Sequence, residues 1–392
     1  MEDIVIWGTG LLGSMAYLYY KDRGNIKYFV DSDEKKWGSR FYQYDILNPD
    51  KLKEYKGIVV IALRNGKEEI KSRLSKLYSI NRYVVFDVVT DLIEEDKKVF
   101  VTHDLSKTII VCFSGGLGNQ MFQYAFYKAQ KCFHKHMIAD ISSYKETTAM
   151  PFCIDKVFNQ IEINKMRCKK DEIIKSIVEL NNPKKYLVYK EPTIKEANIK
   201  EYDPGLLDVS GGLFDGYFQT YRFAELVEEQ LRDEFRFSIE TDAQLCEISK
   251  VIKDDTYVSV HIRRGDYLLK KNKEYYYNEI CNIDYYIKAI EYIRDRIGKC
   301  KLCFFSDDIE WVKKELQYDD SIYIEEKLFD KYEDWFDMLL MSLCKHNIIA
   351  NSTFSWWGAW LNNNPHKIVI APKSWINGCE YNNLCPETWI KI

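Results

Sequence analysis

The distribution of hydrophobic residues along the chain predicts a series of buried parallel strands. Short, nearly unbroken apolar runs with many β-branched residues recur, and polar or glycine positions follow them. Strands that are buried on both faces of a parallel sheet show this pattern. The runs lie at residues 2–7, 28–30, 58–63, 108–113, 257–260, 302–305 and 347–350. Helical stretches separate several of them, which predicts an α/β fold class.

The first apolar run leads into a glycine motif that is typical of a nucleotide-binding turn. Gly8, Gly10 and Gly13 form a GxGxxG pattern, and Asp31 ends the second strand, 18 residues after Gly13. A ribose-binding carboxylate occupies that place in a Rossmann-like domain. We therefore predict a small Rossmann-like domain over residues 1–95. Its ligand stays open, because the same glycines suit NAD, another nucleotide or a tight turn with nothing bound.

A second glycine-rich turn follows a polar connector, which we place at residues 96–107. The sequence SGGLGNQ comes directly after a strand and before a helix. The backbone amides after Gly116 and the side-chain amides of Asn119 and Gln120 favour ligand binding at this helix N-terminus. No GK[ST] follows, which disfavours a P-loop kinase or ATPase. The helix is predicted to bury a face made of Phe122, Ala125, Phe126, Ala129 and Phe133.

The main candidate for chemistry is the segment HIRRGD at residues 261–266, which follows a strand-like run. α/β enzymes keep their active sites at this end of a strand. Arg263 and Arg264, beside His261 and Asp266, predict a cationic fork that holds a diphosphate through paired N–H···O bonds. The alternative is that an Arg–Asp pair simply caps a strand end.

Two further segments supply candidate ligand contacts. Asp308 is predicted to cap the helix after its strand, and Asp307 to face a cleft, where a carboxylate suits the paired N–H donors of guanine. Ser352 and Thr353, next to Phe354, stand where a later helix begins, and their hydroxyls and the helix N–H groups suit phosphate oxygens. An ordinary N-cap is the alternative, and the tryptophans that follow are expected to be packing residues.

A short segment, GYFQT, supplies the candidate acceptor contacts. Its alternation places Tyr217 and Gln219 on one face of a short strand. We predict that these two side chains lie on the acceptor side of the site.

Composition narrows the partners and the compartment. The chain has 392 residues, and 56 basic against 60 acidic residues give a net charge of −4, so no overall basic field recruits nucleic acid. Eleven cysteines without a repeated spacing indicate reduced thiols, and Cys300 and Cys303, although spaced as CxxC, are expected to be core thiols. The six histidines are dispersed, and no apolar run reaches the ~18 residues of a membrane span. We expect a cytoplasmic protein that starts at Met1, with peripheral attachment to the inner face of the plasma membrane left open.

Five motifs, taken together, resemble the bacterial α-1,2-fucosyltransferase family. They are GGLGNQMFQYAF at 115–126, GYFQ at 216–219, HIRRGDY at 261–267, FFSDD at 304–308 and NSTFSWWGAWL at 351–361. The resemblance implies a GT-B architecture of two Rossmann-like domains facing a cleft, which we place at 108–240 on the acceptor side and 241–392 on the GDP-sugar side. It also implies GDP-fucose as donor, inversion at the anomeric carbon, no metal or other cofactor, and contact between the motif's arginine and the donor diphosphate.

The expected activity is transfer of L-fucose from GDP-β-L-fucose to the 2-OH of a galactose-containing oligosaccharide or lipid-linked glycan. No residue is singled out as the general base. Two alternatives come from other classes: an NAD(P)-dependent sugar-nucleotide oxidoreductase acting through residues 1–95, and a non-catalytic sugar-binding module. The first lacks a well-placed proton-transfer pair, since Tyr17 and Lys21 fall on the first helix, and the second leaves the arginines unexplained. Because domains of this size usually fold alone, a chain that starts near Ser106 is expected to fold and to keep donor turnover.

Overall fold

The described residues of the computed structural model form three large β-sheets that are almost entirely parallel and one two-stranded antiparallel sheet. It describes residues 2–10, 13, 16–17, 20–21, 24–53, 55–63, 67–80, 82–85, 108–134, 136–144, 150–166, 186–190, 202–209, 211–238, 242–269, 280–376, 379–380 and 383–392. The connector predicted at 96–107 lies outside the described residues, so the domain boundaries stay predictions.

The first sheet belongs to the N-terminal part of the chain. Its strands are β1 Asp3–Trp7, β2 Asn25–Val30, β3 Arg40–Phe41, β4 Tyr44–Leu47, β5 Ile58–Ile61 and β6 Tyr83–Val85. Their order is β3-β4-β2-β1-β5-β6, and the pairings are parallel except for the β3–β4 hairpin. Helix α1, Lys67–Leu77, connects β5 to β6. The strand order reverses beside β1, as in a doubly wound sheet, which confirms the predicted Rossmann-like fold of this part.

The second sheet carries the second glycine-rich turn. Its strands are β7 Thr108–Cys112, β8 His136–Asp140, β9 Lys165–Met166, β10 Tyr186–Lys190 and β11 Gly211–Asp215, and its helices are α2 Leu117–Lys131, α3 Ile154–Val157, α4 Tyr221–Leu226 and α5 Glu228–Glu234. The strand order is β10-β11-β7-β8-β9, all parallel. The central strand β7 is buried along its whole length, as its unbroken apolar sequence predicts.

The third sheet carries the arginine motif. Its part of the chain contains α6 Ala243–Lys253, β12 Tyr257–Ile262, α7 Ile283–Ile297, β13 Lys301–Ser306, α8 Ile309–Glu315, β14 Ser321–Tyr323, α9 Trp335–Leu343, β15 His346–Ile348, α10 Thr353–Leu361, β16 Val369–Ala371, β17 Ser374–Ile376, β18 Cys379–Glu380 and β19 Ile390–Lys391. The parallel order is β14-β13-β12-β15-β16-β19, while β17 and β18 form a separate antiparallel pair. Together the second and third sheets form the GT-B pair of Rossmann-like units.

The second and third sheets share one hydrophobic core. Its centre is the contact between α2 and α10, where the ring of Phe122 lies 4.6 Å from that of Trp356 and 5.0 Å from that of Trp357, centroid to centroid. Trp357 also donates from Nε1 to the Gly118 carbonyl at 3.0 Å. These tryptophans are therefore packing residues, as predicted, and they fix the two helices against each other.

The first sheet has a core of its own on one face only. Its other face belongs to a cluster that continues into the second sheet through Ile110, Cys112, Ile138 and Leu213. Burial of this kind stabilises by about 25 cal/mol per Å² of apolar surface. Removal of residues 1–95 would expose this shared face, which counts against the expectation that a chain starting near Ser106 folds; that expectation stays a prediction.

Two local predictions are wrong for related reasons. Phe133 is 66 % exposed, because α2 ends at Lys131 and the helical period no longer applies beyond it. Tyr217 and Gln219 do not share a strand face, because β11 ends at Asp215 and the chain turns away from the sheet. The other four predicted face residues of α2 are buried.

Two compositional expectations have structural counterparts. Cys300 and Cys303 are both buried free thiols, which confirms that they belong to the core. Within the described residues, no helix is both long enough and apolar enough to cross a membrane.

Candidate active site

The arginine loop, residues 263–266, emerges from the carboxyl end of β12, which pairs with β13 and β15 in the middle of the third sheet. Arg263 donates to Asp266 Oδ1 from Nε at 3.0 Å and Nη2 at 2.7 Å, and its Nη1 lies 3.1 Å from Asp307 Oδ2. A guanidinium has five N–H donors, and these contacts use three of them. The side chain is still 29 % exposed, so two carboxylates orient Arg263 while part of it faces outward.

Arg264 has a different set of partners. Its Nε donates to Asp308 Oδ2 at 3.0 Å, and its guanidinium carbon lies 3.7 Å from the ring centroid of Trp311, the distance of a cation–π contact. The side chain is only 12 % exposed. Arg264 is therefore anchored to α8, and Arg263 is the more exposed of the pair; a diphosphate-binding fork made by both guanidiniums stays a prediction.

Asp307 and Asp308 shape the loop from the neighbouring strand. Asp307 Oδ1 accepts from the Arg264 backbone N–H at 2.8 Å, and a Cβ on Gly265 would lie 2.7 Å from Asp307 Oδ2, so a larger residue there would displace this carboxylate. Asp308 accepts from the Trp311 backbone N–H at 3.4 Å, which confirms the predicted helix cap. Recognition of guanine by Asp307 is not tested by these contacts and stays a prediction.

Two helix N-termini meet opposite the arginine loop. A Cβ on Gly118 would lie 2.6 Å from the backbone nitrogen of Phe354, so the first turns of α2 and α10 touch. The residues that precede the two helices, Gly116 and Ser352, make no side-chain capping bond. The ordinary N-cap expected as the alternative for Ser352 is therefore not what forms. The first N–H groups of a helix have no acceptor within it, and the helix dipole makes this end positive, so the pair of termini suits an anion.

Asn119 links three segments at this point. Its Oδ1 accepts from Gln219 Nε2 at 3.0 Å and from Thr353 Oγ1 at 3.1 Å. The bond to Thr353 crosses between the second and third sheets, so the predicted residues Asn119, Gln219 and Thr353 are brought together. Gln219 thus lies beside the helix N-termini even though the predicted strand is absent there.

Gln120 is the predicted ligand contact that the structure contradicts. The residue is fully buried, and its amide donates to the Gly115 and Pro151 carbonyls and accepts from the backbone N–H groups of Cys153 and Ile154. These four bonds satisfy both ends of the amide. Gln120 therefore holds the glycine turn against the segment before α3 and offers nothing to a donor.

His261 lies inside the site but carries no charge at ordinary pH. Burial, and then the positive charge of Arg263, lower the pKa of His261 to about 3. Its ring lies 6.2 Å from that of Phe354, and its Nδ1 is buried without a hydrogen-bond partner among the described residues. The residue thus connects the end of β12 with the first turn of α10 as a neutral imidazole.

The N-terminal glycine turn is built differently. Gly8 has φ +117°, and a Cβ on Gly13 would collide with the Gly8 carbonyl, whereas Gly10 faces open space. Asp31 accepts from the backbone and hydroxyl of Thr9 and from Lys36. Burial alone would raise the pKa of Asp31, but these bonds outweigh it and hold the pKa below its ordinary value.

Three supporting residues escaped the sequence reasoning. Trp311 stacks under Arg264, and Tyr267, 5.7 Å from the Arg263 guanidinium, donates to the Asn351 carbonyl at 2.9 Å. Tyr144 donates to the Gly115 carbonyl at 2.9 Å. Tyr267 could have been found as the residue after the motif's acid; the other two have no local signal. No three His, Cys, Asp or Glu side chains in the described part of the chain are grouped so as to hold a metal ion.

Paired Rossmann-like units, an arginine loop and facing helix N-termini define a glycosyltransferase of the GT-B type. The chain belongs to glycosyl transferase family 11, whose model matches residues 81–390. This confirms the resemblance to the bacterial α-1,2-fucosyltransferases and leaves the oxidoreductase alternative without support. Residues 1–86 match a separate family, described as C2185-like, N-terminal.

Curated relatives cover the catalytic part of the chain. An alpha-1,2-colitosyltransferase of Escherichia coli is 36 % identical over 301 residues, which span 72 % of this chain and 98 % of the relative. The O-antigen biosynthesis glycosyltransferase WbnK of Escherichia coli is 32 % identical over 303 residues, 72 % of this chain and 99 % of the relative. Among solved structures, NodZ alpha-1,6-fucosyltransferase soaked with GDP-fucose matches with a TM-score of 0.37 at 12 % identity, covering 64 % of this chain and 91 % of that one. This last likeness is too distant to add to the assignment.

Proposed function

We propose that the protein transfers L-fucose from GDP-β-L-fucose to the 2-OH of a galactoside, with inversion at the anomeric carbon. The acceptor oxygen forms a bond to C1 of fucose while the bond from C1 to the β-phosphate oxygen breaks. The products are an α-1,2-fucoside, GDP and a proton.

The observation that carries the proposal is the convergence of positive groups on one point. Arg263 is oriented by Asp266 and Asp307, and His261, two residues before it, lies 6.2 Å from the ring of Phe354 in the first turn of α10, which touches the first turn of α2. Charge accumulates on the β-phosphate as the bond to fucose breaks. Donors fixed before the reaction stabilise that charge without reorganisation, which is the largest contribution in many enzymes.

The remaining donor contacts follow from the same geometry. We assign the donor phosphates to Arg263, to the first N–H groups of α10 and to the Ser352 hydroxyl, with Asn119 and Thr353 fixing the helices. Asp266, and Arg264 with Asp308, keep the loop in position. We assign Asp307 to the support of the arginine loop rather than to the guanine edge, because its carboxylate already contacts Arg263 and the Arg264 backbone N–H at the diphosphate end.

A panel of nucleotide sugars tests the proposal. Release of GDP from GDP-fucose in the presence of lactose, with an α-1,2 linkage in the product by NMR, is the expected result. Colitose is the second candidate for the transferred sugar, because a relative at 36 % identity is named for it. Turnover of GDP-linked colitose but not of GDP-fucose would replace fucose in the proposal, and turnover of UDP-sugars alone would contradict the guanine assignment.

A further inference from the structure

We infer that Tyr217 and Met150 form the platform on which the galactose ring of the acceptor lies. The inference rests on the proposed function and adds the place and chemistry of acceptor binding. Both side chains are apolar and well exposed, Tyr217 at 36 % and Met150 at 46 %.

Their position beside the donor site is fixed by short contacts. A Cβ on Gly116, the residue before α2, would lie 3.2 Å from Met150 Sδ, so the thioether stands over the helix N-terminus. Tyr217 is two residues from Gln219, which hydrogen-bonds Asn119. Tyr217 also lies close enough to Tyr144 to add to the effect of burial and of Cys153, which raise the pKa of Tyr144, and Tyr144 donates to the Gly115 carbonyl of the same glycine turn at 2.9 Å.

The residues on either side of Tyr217 are fixed by contacts with α2. The Gly216 carbonyl accepts from Gln123 Nε2 at 2.9 Å. Phe218 has φ +51°, an uncommon conformation for an aromatic residue, and its ring stacks on Phe126 at 4.0 Å with 10° between the planes. Phe218 thus faces the core at 3 % exposure, whereas Tyr217 beside it stays 36 % exposed. Such conformations persist where the surroundings determine them, and they cluster at ligand sites.

The chemistry of the platform suits a galactose ring. Galactose carries an axial 4-OH, so one face of the pyranose presents a patch of C–H groups that an aromatic ring covers well. Tyrosine also offers a rigid apolar surface at low entropic cost. The thioether of Met150 extends that surface and adapts to the next sugar of the glycan. Polar contacts to the ring hydroxyls are then left to the amides of Gln219 and Asn119 at the edge.

Variants of Tyr217 test the inference through the acceptor alone. Tyr217→Ala should raise the KM for a β-galactoside acceptor about 3- to 10-fold, which corresponds to the loss of one aromatic contact. The KM for GDP-fucose and its slow hydrolysis without acceptor should stay within about twofold of wild type. Tyr217→Phe keeps the ring and should behave like wild type. Tyr83→Ala is the matched control, because Tyr83 is 37 % exposed on the first sheet, away from the site.

Each outcome decides between the assignments. An unchanged acceptor KM in Tyr217→Ala, or an equal rise for donor and acceptor, would overturn the platform while leaving the donor site intact. A Phe variant as weak as the Ala variant would show that the hydroxyl, not the ring, is used, which also overturns stacking. If wild type releases no GDP from GDP-fucose, the proposed function itself fails, and the platform fails with it. A cooperative melt at the wild-type temperature, expected for an exposed position, confirms that each variant is folded.

Discussion

The chain contains two glycine-rich turns between a parallel strand and a helix, and they differ in what surrounds them. At the N-terminal turn, the Asp31 carboxylate accepts hydrogen bonds from Thr9, Asp33 and Lys36. The residue expected to bind ribose is therefore bonded to its own part of the chain. At the second turn, the N-terminus of α2 touches that of α10, and neither helix has a side-chain cap. A glycine motif thus shows where another group approaches the backbone closely. The neighbouring residues decide whether that group belongs to a ligand or to the protein itself.

Removing the N-terminal domain should have the largest effect. A chain that starts at Ser106 exposes Ile110, Ile138 and Leu213 of the shared cluster, so we expect aggregation or loss of a cooperative melt. Size-exclusion chromatography and a thermal melt monitored by circular dichroism measure this. Co-expression of residues 1–95 with the shortened chain should restore solubility. If the shortened chain is monomeric and keeps the wild-type turnover, residues 1–95 are instead a module that the catalytic part does not need.

Substitution of Arg263 should have the next largest effect, which is a loss of kcat. Arg263→Lys keeps the charge but loses the planar donor geometry, so it should resemble Arg263→Ala, with kcat lower by about 10²–10³. Asp31→Asn, in the other turn, should leave kcat unchanged. Steady-state GDP release on all three variants makes the comparison. Near-normal kcat in Arg263→Lys would mean that a point charge is enough.

Two aspartates should give the chain opposite responses to pH. Burial raises the pKa of Asp337 to about 7, so its contribution to stability is complete below its unfolded pKa near 4 and is lost as pH rises through 7. Asp31, whose folded pKa is lowered, contributes above its unfolded pKa and loses that contribution as pH falls through the folded value. The free energy of unfolding of Asp337→Asn should therefore rise relative to that of wild type between pH 5 and pH 8, by no more than about 4 kcal/mol. Urea unfolding at both pH values measures the gain, and a constant difference between variant and wild type would be evidence against the raised pKa.

Substitution of one glycine in each turn by alanine should change the stability of the protein by different amounts. Gly118→Ala forces apart backbone atoms that lie 2.6 Å from the new Cβ, so we expect a loss of about 1–3 kcal/mol together with weaker GDP binding. Gly10→Ala meets nothing within 4 Å and should be neutral in both assays. Chemical unfolding and GDP titration on the pair provide the measurement. Equal losses from the two substitutions would remove the distinction.

Removing divalent metal should have the smallest effect, since Arg263 and the helix termini supply the positive charge for the departing diphosphate. Transfer should proceed at the wild-type rate in EDTA. Loss of turnover in EDTA, with recovery on adding Mg²⁺ or Mn²⁺, would show that these groups do not replace a metal.

The sequence predicts the strands, the turns and the arginine motif well, because apolar runs and glycine spacing are local properties. The sequence predicts poorly which side chains contact one another in the folded chain. Arg263 and Arg264 are adjacent in sequence, yet one is held by Asp266 and the other lies over Trp311, which only the packing of β12 against β13 brings near. Gln120 offers the same amide as Asn119 but points into backbone groups from another segment. The face shared by the first and second sheets has no sequence signature, since a buried strand looks the same whatever covers it.

A crystal structure of the protein with GDP bound would locate the donor site. We expect the diphosphate between Arg263 and the first turn of α10, within hydrogen-bond distance of the Arg263 guanidinium and the Ser352–Phe354 backbone. GDP seated on Gly8–Gly13 beside Asp31, with the arginine loop unoccupied, would contradict it.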